Sequence, residues 1–222
     1  MNNARGAAIA VFGGTFDPIH YGHLRAALEA KEALGVDDFR FMPAGVPPHR
    51  KDAVSAAEHR LAMLRRALPE GCGFRIDERE MCREGPSYMA DTLTSLRDEV
   101  GSAPLLLLIG QDAANGLNQW HRWRDLFSLA HIVILSRAGD VQRHSRPLSS
   151  LIRSQIAAHP QSLLEVPGGR VLRIQVTSLA ISSSRIRRLI GDGRSPRFLL
   201  PPAVLEYIEE HGLYGAPRQK PK

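Results

Sequence analysis

The 222-residue chain has few cysteines, with only Cys72 and Cys82. They form no C-x-x-C pair and have no histidine cluster nearby, which argues against a zinc site or a disulfide framework. Isolated thiols are typical of a reducing compartment, so we expect a cytoplasmic protein. The N-terminus lacks an apolar signal segment, and no apolar stretch approaches the roughly 18 residues of a membrane-spanning helix.

Lysine is also scarce, because only four of the 29 basic residues are lysines and the arginines are spread through every segment. The formal net charge of +6 raises the possibility of a nucleic-acid-binding domain. Such a domain would show a basic cluster interleaved with aromatic side chains, and none is present. The charge therefore favours attraction of anionic small molecules, and we expect no nucleic-acid or membrane partner.

A hydrophobic content of 43% with 23% charged residues suffices for one compact domain with its own core. We expect this domain to span residues 1–214. Residues 215–222 contain two lysines and two prolines and are predicted to form a disordered basic tail. Oligomeric state cannot be read from the sequence, and a homo-oligomer stays possible.

Short apolar runs alternate with amphipathic runs along the chain, which predicts an α/β fold. We expect a Rossmann-like open parallel sheet flanked by helices, with a small helical C-terminal part that begins near Pro201. A capping box at residues 55–58 and an N-cap at Ser87 are predicted to begin two of the helices. Strands are predicted at residues 7–12, 39–42, 74–76, 105–109, 131–135 and 171–176.

The most informative stretch is residues 13–23, which read GGTFDPIHYGH and follow the first predicted strand. The paired glycines permit close approach of backbone N–H groups to a ligand. His20 and His23 lie three residues apart, on one side of an opening helical turn. A helix start already favours anions, so two imidazoles beside it predict a positively polarised pocket for a polyphosphate.

Other motifs fit this stretch poorly. A P-loop requires Gly-Lys-Ser/Thr, and no glycine in the chain precedes a lysine. A dinucleotide-binding motif requires an acidic residue after the second strand, where this chain has Pro43 and Ala44. A zinc-protease helix needs histidines four residues apart with an intervening glutamate.

A second motif, ISSSRIRRLI at residues 181–190, follows the last predicted strand. Ile186, Leu189 and Ile190 form the apolar stripe of a helix, whose first turn exposes serine hydroxyls and unpaired N–H groups. Arg187 lies one turn beyond Ser183, within reach of a phosphate that the serines hold. Alone, this pattern also fits a capped basic surface helix.

Other candidates follow strand ends or glycine-rich segments. His49, Arg50 and Lys51 end a Pro-rich loop, where phosphate contact and simple solvation are about equally plausible. Asp112 follows the central strand and suits either a ribose or a helix cap. Of Trp120 and Trp123, we expect one to pack in the core and the other to stack on a heteroaromatic ring.

The GTFDP segment followed by H-x-G-H resembles the nucleotidyltransferases of the H-x-G-H type, and ISSS-x-x-R resembles their second signature, with Ser184 where Thr is usual. This resemblance implies attack of an acceptor phosphate on the α-phosphorus of ATP, with Mg²⁺ carried by ATP and no metal ligands from protein side chains. It implies catalytic roles for His20, His23 and Arg187. The implied ATP-binding residues are Gly13, Gly14, Thr15, Phe16, His20, His23, Ser182, Ser183, Ser184 and Arg187.

Over nearly the whole chain, the order of these motifs with VPPH, PSY, GQD and the tryptophan at position 120 is similar to the bacterial nicotinate-nucleotide adenylyltransferase family. That resemblance implies ATP and nicotinate mononucleotide as partners. Met89 departs from the family, where Thr is frequent. The implied nicotinate mononucleotide-binding residues are Gly14, Thr15, His49, Ser87, Tyr88, Met89, Asp112, Trp120 and Arg137.

Two alternatives stay open within the nucleotide-binding classes. Pantetheine-phosphate adenylyltransferases resemble the chain at both motifs, but they are typically shorter and carry Thr in place of the first histidine. A nucleotide sensor would bind ATP without releasing pyrophosphate.

Overall fold

The protein is built on one six-stranded, all-parallel sheet with strand order β3-β2-β1-β4-β5-β6. The computed structural model describes residues 7–46, 55–83 and 85–217. The parallel sheet with connecting helices confirms the predicted α/β class and Rossmann-like topology. The strands are β1 (Ile9–Gly14), β2 (Asp38–Pro43), β3 (Arg75–Ile76), β4 (Leu105–Gly110), β5 (His131–Ser136) and β6 (Val171–Gln175).

Helices connect the strands and cover both faces of the sheet. Three short 3-10 segments, Leu117–Gln119, Pro160–Glu165 and Leu213–Gly215, complete the connections. None of the described helices is long and apolar enough to cross a membrane. The helices are α1 (Tyr21–Leu34), α2 (Ala57–Ala67), α3 (Met89–Val100), α4 (Gln111–Asn115), α5 (Leu126–Leu129), α6 (Arg146–Ser154), α7 (Ser183–Gly191) and α8 (Pro202–His211).

The central strands β1 and β4 are apolar on both faces because helices cover both sides of a parallel sheet. Leu105–Ile109 is buried throughout, and Ile9–Phe12 is also buried. Alternate β1 residues therefore enter different core clusters, with Ala10 and Phe12 in one and Ile9 and Val11 in the other. The sheet carries a packed layer on each face and exposes its carboxyl edge.

Two glycines end helices in the left-handed conformation. Gly35 adopts a φ of 63° after α1, and its N–H donates to the Lys31 carbonyl. Gly212 adopts a φ of 60° after α8. Both lie in the left-handed region that glycine adopts without steric cost.

Two predicted helix caps are wrong. The N-cap of α2 is Ala56, which has no capping side chain, so residues 55–58 do not form a capping box. The N-cap of α3 is Tyr88 and not Ser87. The Ser87 hydroxyl instead accepts hydrogen bonds from the Gly45 and Val46 N–H groups at 3.1 and 3.3 Å. The Ser87 side chain therefore bonds to backbone groups that are distant in the sequence, although its local sequence pattern predicts a helix cap.

At the C-terminus the fold continues beyond α8. Tyr214 lies in the last 3-10 turn and Ala216 is buried against the core. Residues 218–222 lie outside the described residues, so the basic tail and the 1–214 domain boundary stay predictions.

Candidate active site

The candidate site lies at the carboxyl edge of the sheet, where β1 and β4 end. Gly13 and Gly14 are the last residues of β1. A Cβ on Gly14 would lie 2.8 Å from the Phe16 ring, and one on Gly13 would lie 2.9 Å from Met89 Cε. Gly14 is therefore needed for close packing against the buried Phe16 ring, whereas the flexible end of Met89 beside Gly13 can move.

The turn that follows β1 is stabilised by a hydrogen bond between Tyr214 and Asp17. Phe16 has a φ of 51°, a left-handed conformation that costs a non-glycine residue on the order of 1 kcal/mol. The Tyr214 hydroxyl donates to Asp17 Oδ1 at 2.5 Å, and Asp17 is buried. Burial and this hydrogen bond raise the pKa of Tyr214 well above its ordinary value, so the hydroxyl keeps its proton.

The second motif docks on the same turn. Arg187 Nη1 donates to the Asp17 carbonyl at 2.8 Å, and Ser183 Oγ donates to the Pro18 carbonyl at 3.0 Å. Ser182 is the N-cap of α7 and accepts from the Arg185 N–H. These contacts bring the start of α7 beside the start of α1, so both predicted anion-binding helix starts meet at one place.

The two histidines are stacked, with ring centroids 3.7 Å apart and planes 19° from parallel. His20 is 4% exposed, and its buried Nδ1 makes no hydrogen bond to another described residue. Burial lowers the pKa of His20 to about 4, and Arg137 adds charge repulsion. His20 is therefore neutral at pH 7, and the expectation of two cationic imidazoles is wrong for His20.

The histidine pair opens into a cavity of about 750 Å³. The cavity is lined by residues from the ends of β1 and β4, from α1 and from the 176–187 segment. Of the predicted ATP-binding residues, this cavity is lined by Gly13, Gly14, Phe16, His20, His23, Ser182, Ser183, Ser184 and Arg187.

A second cavity, of about 430 Å³, adjoins the first. The start of α3 and the Trp120 side chain line it, and Ser87 holds the 45–46 backbone at its side. The His121 ring packs against the Tyr88 ring with centroids 4.4 Å apart and planes tilted by 35°. Of the residues predicted for nicotinate mononucleotide, this cavity is lined by Gly14, Thr15, Ser87, Tyr88, Met89 and Trp120.

The two cavities share one wall. His23 and Ser183 line both of them, together with Gly13, Gly14, Phe16, Gly110 and Ala113. His20 and Arg187 line only the first cavity, whereas Tyr88 and Trp120 line only the second. The two cavities therefore meet in the region that these seven residues line.

Three predicted residues differ from their expected placement, and a fourth cannot be compared. Asp112 and Arg137 were assigned to the second ligand but line the first cavity, and their side chains approach to 3.7 Å. Asp112 is not a helix cap, because Gly110 precedes α4 in that position. Thr15 was assigned to both ligands and lines only the second cavity. His49 lies outside the described residues, as do Arg50 and Lys51.

Sequence analysis assigned no role to two buried charged residues beside the site. Glu80 lines the second cavity, and Thr92 Oγ1 donates to its carboxyl at 2.7 Å. Burial raises the pKa of Glu80. Arg60 is 1% exposed in α2 and contacts the loops after β1 and β2. Neither belongs to a sequence motif, so only a prediction of burial for a charged residue would have singled it out.

A Rossmann-like sheet with two adjoining cavities at its carboxyl edge is typical of nucleotide-binding α/β proteins, and the comparisons with known proteins place the chain among the nucleotidyltransferases. A model of the cytidylyltransferase-like family matches residues 11–189. Among solved structures, Plasmodium falciparum nicotinic acid mononucleotide adenylyltransferase complexed with NaAD has a TM-score of 0.73 at 16% identity. The match covers 94% of this chain and 98% of that chain, and it supports the fold.

Similar curated proteins identify the family within this class. A probable nicotinate-nucleotide adenylyltransferase from Methylococcus capsulatus is 48% identical over 93% of this chain and 99% of its own length. One from Pseudomonas aeruginosa is 45% identical over 96% of this chain and 99% of its own length. The chain therefore belongs to the nicotinate-nucleotide adenylyltransferase family.

Proposed function

We propose that the protein transfers the adenylyl group of ATP to nicotinate mononucleotide, releasing pyrophosphate and forming nicotinate adenine dinucleotide for NAD biosynthesis. One observation carries the mechanism: two adjoining cavities share the wall formed by His23 and Ser183. The reacting α-phosphorus must be reached from both sides, by the attacking phosphate of one nucleotide and by the departing pyrophosphate of the other. The shared wall meets this requirement.

ATP occupies the larger cavity in this proposal. Its phosphates face the N-terminal turns of α1 and α7, whose N–H groups attract anions. Arg187 supplies a fixed positive charge, and Ser182 and Ser184 expose hydroxyls at the same helix start. His20 takes part as a neutral hydrogen-bonding group, because its pKa is about 4. ATP enters with its Mg²⁺, coordinated by the phosphate oxygens.

Nicotinate mononucleotide occupies the smaller cavity. The pyridine ring stacks on Trp120, and the nicotinate carboxylate meets the N–H groups at the start of α3, near Tyr88 and Met89. The flat pyridine ring thereby contacts the large aromatic side chain of Trp120. The negatively charged carboxylate contacts the N–H groups of a helix start, which attract anions. Neither Asp112 nor Arg137 lines this cavity, so we place both beside the shared region on the ATP side.

The chemical step is an in-line displacement. An acceptor phosphate oxygen attacks the α-phosphorus, its bond to the α-phosphorus forms as the bond to the β-bridging oxygen breaks, and pyrophosphate leaves with the electron pair. The attacking phosphate is already an anion, so no general base is needed. His23 donates a hydrogen bond to an α-phosphate oxygen as charge develops there, and the remaining rate enhancement comes from positioning.

The direct experiment offers ATP and Mg²⁺ with one acceptor at a time and measures pyrophosphate and the dinucleotide product. The acceptors are nicotinate mononucleotide, nicotinamide mononucleotide and phosphopantetheine. We expect the highest kcat/KM with nicotinate mononucleotide. Turnover with phosphopantetheine alone would assign the other adenylyltransferase activity, and ATP binding without pyrophosphate would assign a sensor. Salt-sensitive DNA binding without turnover would assign a nucleic-acid-binding protein.

The location stays a prediction. Cys72 and Cys82 form no disulfide. We propose the cytoplasm, where thiols stay reduced and the nucleotide substrates are made.

A further inference from the structure

Arg60 is a charged residue buried without direct access to either cavity. It lies in the first turn of α2 and is 1% exposed. Burial lowers its pKa, and the charge of Asp17 opposes that shift. A buried guanidinium is costly unless its N–H groups are satisfied, so its partners indicate what it stabilises.

The partners of Arg60 are backbone carbonyls on three separate segments. Nη1 donates to the carbonyls of Thr15 at 3.1 Å and Ala44 at 2.5 Å. Nη2 donates to the Gly45 carbonyl at 2.6 Å, and Nε donates to the Ser55 carbonyl at 3.3 Å. One rigid fork therefore ties the loop after β1 to the loop after β2 and to the segment before α2.

The two tied loops serve the second cavity. Thr15 and Ala44 line that cavity and not the first. Gly45 extends the connection, because its N–H donates to Ser87 Oγ and Ser87 precedes the α3 helix start. A Cβ on Gly45 would lie 2.2 Å from the Glu80 carbonyl oxygen, so this loop has no room to shift toward Glu80. Arg60 therefore acts on one wall of the smaller cavity through the backbone.

Arg97 provides a natural comparison within the chain. Its guanidinium also donates to backbone carbonyls, those of Gly101, Ala103, Leu129 and Pro167, and burial also lowers its pKa. These acceptors lie at the opposite, amino edge of the sheet. Arg97 lines neither cavity, so it shows what the same arrangement contributes to stability alone.

We propose that Arg60 is a positioning residue for the acceptor nucleotide, which holds Thr15, Ala44 and Gly45 in the arrangement that the second cavity requires. This inference rests on the proposed function and adds a residue that contacts neither substrate. A shift of Thr15 and Ala44 by a fraction of an ångström acts mainly on the smaller cavity, because these two residues line that cavity and not the larger one.

The test is steady-state kinetics of Arg60→Lys and Arg60→Gln, with KM measured separately for nicotinate mononucleotide and ATP. Lysine keeps the charge but cannot form the fork to the four carbonyls. We expect the KM for nicotinate mononucleotide to rise about tenfold in both variants, with the KM for ATP within about twofold of the original value. Arg97→Lys is the matched control and should lower the melting temperature while leaving both KM values unchanged.

Each outcome either supports or overturns the positioning role of Arg60. Equal changes in both KM values, no change in either, or the same result for Arg97→Lys would make Arg60 a purely structural residue. Failure of both Arg60 variants to fold would do the same. If the wild type is active and the Arg60 variants have unchanged KM values, this inference alone is overturned. If the wild type is inactive with nicotinate mononucleotide, the proposed function and this inference are overturned together.

Discussion

The two cavities differ in how the chain builds them. The larger cavity takes its histidine and serine side chains and Arg187 from two short contiguous motifs, residues 13–23 and 181–190. The smaller cavity is assembled from loops after β1, β2, β3 and β4, with Tyr88 and Trp120 contributed by segments about 30 residues apart. Their chemistry differs accordingly, because the larger cavity presents the starts of α1 and α7 with histidine, serine and arginine side chains, whereas the smaller one combines the start of α3 with the aromatic side chains of Tyr88 and Trp120. Under the substrate assignment proposed above, the reaction type resides in the motifs, whereas acceptor choice resides in scattered residues.

Changing the shared wall should affect catalysis most. His23→Ala removes a donor that acts mainly in the transition state, so kcat should fall by roughly a hundredfold or more with a small change in ATP affinity. His23→Gln keeps an N–H donor and should retain more activity than alanine. Steady-state kinetics of both variants, with circular dichroism as the folding check, measures this effect. An unchanged kcat in His23→Ala would remove His23 from the mechanism.

Changing the larger cavity alone should affect ATP alone. Arg187→Ala removes a cationic donor from the phosphate region, and charge-assisted hydrogen bonds contribute about 2 kcal/mol, so the KM for ATP should rise roughly thirtyfold. The KM for nicotinate mononucleotide should stay close to its original value. Arg188→Ala, an exposed neighbour on the same helix, is the control and should alter neither constant. A larger effect on the acceptor than on ATP would exchange the assignments of the cavities.

The converse change in the smaller cavity should have a smaller effect. Trp120→Ala removes the proposed stacking surface, and a stacked aromatic pair is worth about 1 kcal/mol beyond its buried area, so the KM for the acceptor should rise about tenfold. The KM for ATP should not change. Trp123 packs on Phe127 with ring centroids 6.2 Å apart and lines neither cavity, so Trp123→Ala should lower stability only. Equal acceptor KM values in the two variants would contradict the stacking role.

The smallest expected effect is on the pH dependence of stability. Because the pKa of His20 is lowered from 6.5 to about 4, the unfolded chain binds more protons between these values, and stability falls as pH falls through that window. At pH 5.5 this histidine should reduce the free energy of unfolding by about 1 kcal/mol relative to pH 7. Urea denaturation of wild type and His20→Asn at both pH values measures it.

The exposed His159 supplies the control for that comparison. His159→Asn should leave the pH dependence as it is in the wild type. His20→Asn should flatten it, because the asparagine amide does not titrate. An unaltered slope in His20→Asn would show that His20 titrates alike in the folded and unfolded states.

Sequence patterns predicted the sheet and the larger cavity because both depend on local features. Apolar runs predicted the strands and helices. Residues that are close in the sequence of a motif also remain close in space at a turn. Side-chain direction was not visible: Asp112 and Arg137 follow strand ends as expected, yet both face the larger cavity. Ser87 resembled a cap because its partners, Gly45 and Val46, lie about 40 residues away.

Charge state and burial were the other features hidden from sequence. From the sequence, the His20 imidazole was expected to add positive charge. In the fold it stacks on His23 and is buried, and burial keeps it neutral. Arg60 is one of several arginines in α2, and only the fold shows that it faces inward and donates to four backbone carbonyls. Both properties depend on tertiary packing, which the amphipathic pattern of a helix does not specify.

The most direct test of the shared-wall account is a crystal structure of the protein with nicotinate adenine dinucleotide bound. We expect the adenosine half in the larger cavity, the nicotinate half against Trp120 in the smaller one, and the bridging phosphates within hydrogen-bond distance of His23 or Ser183. A dinucleotide confined to one cavity, or phosphates distant from both residues, would contradict the account.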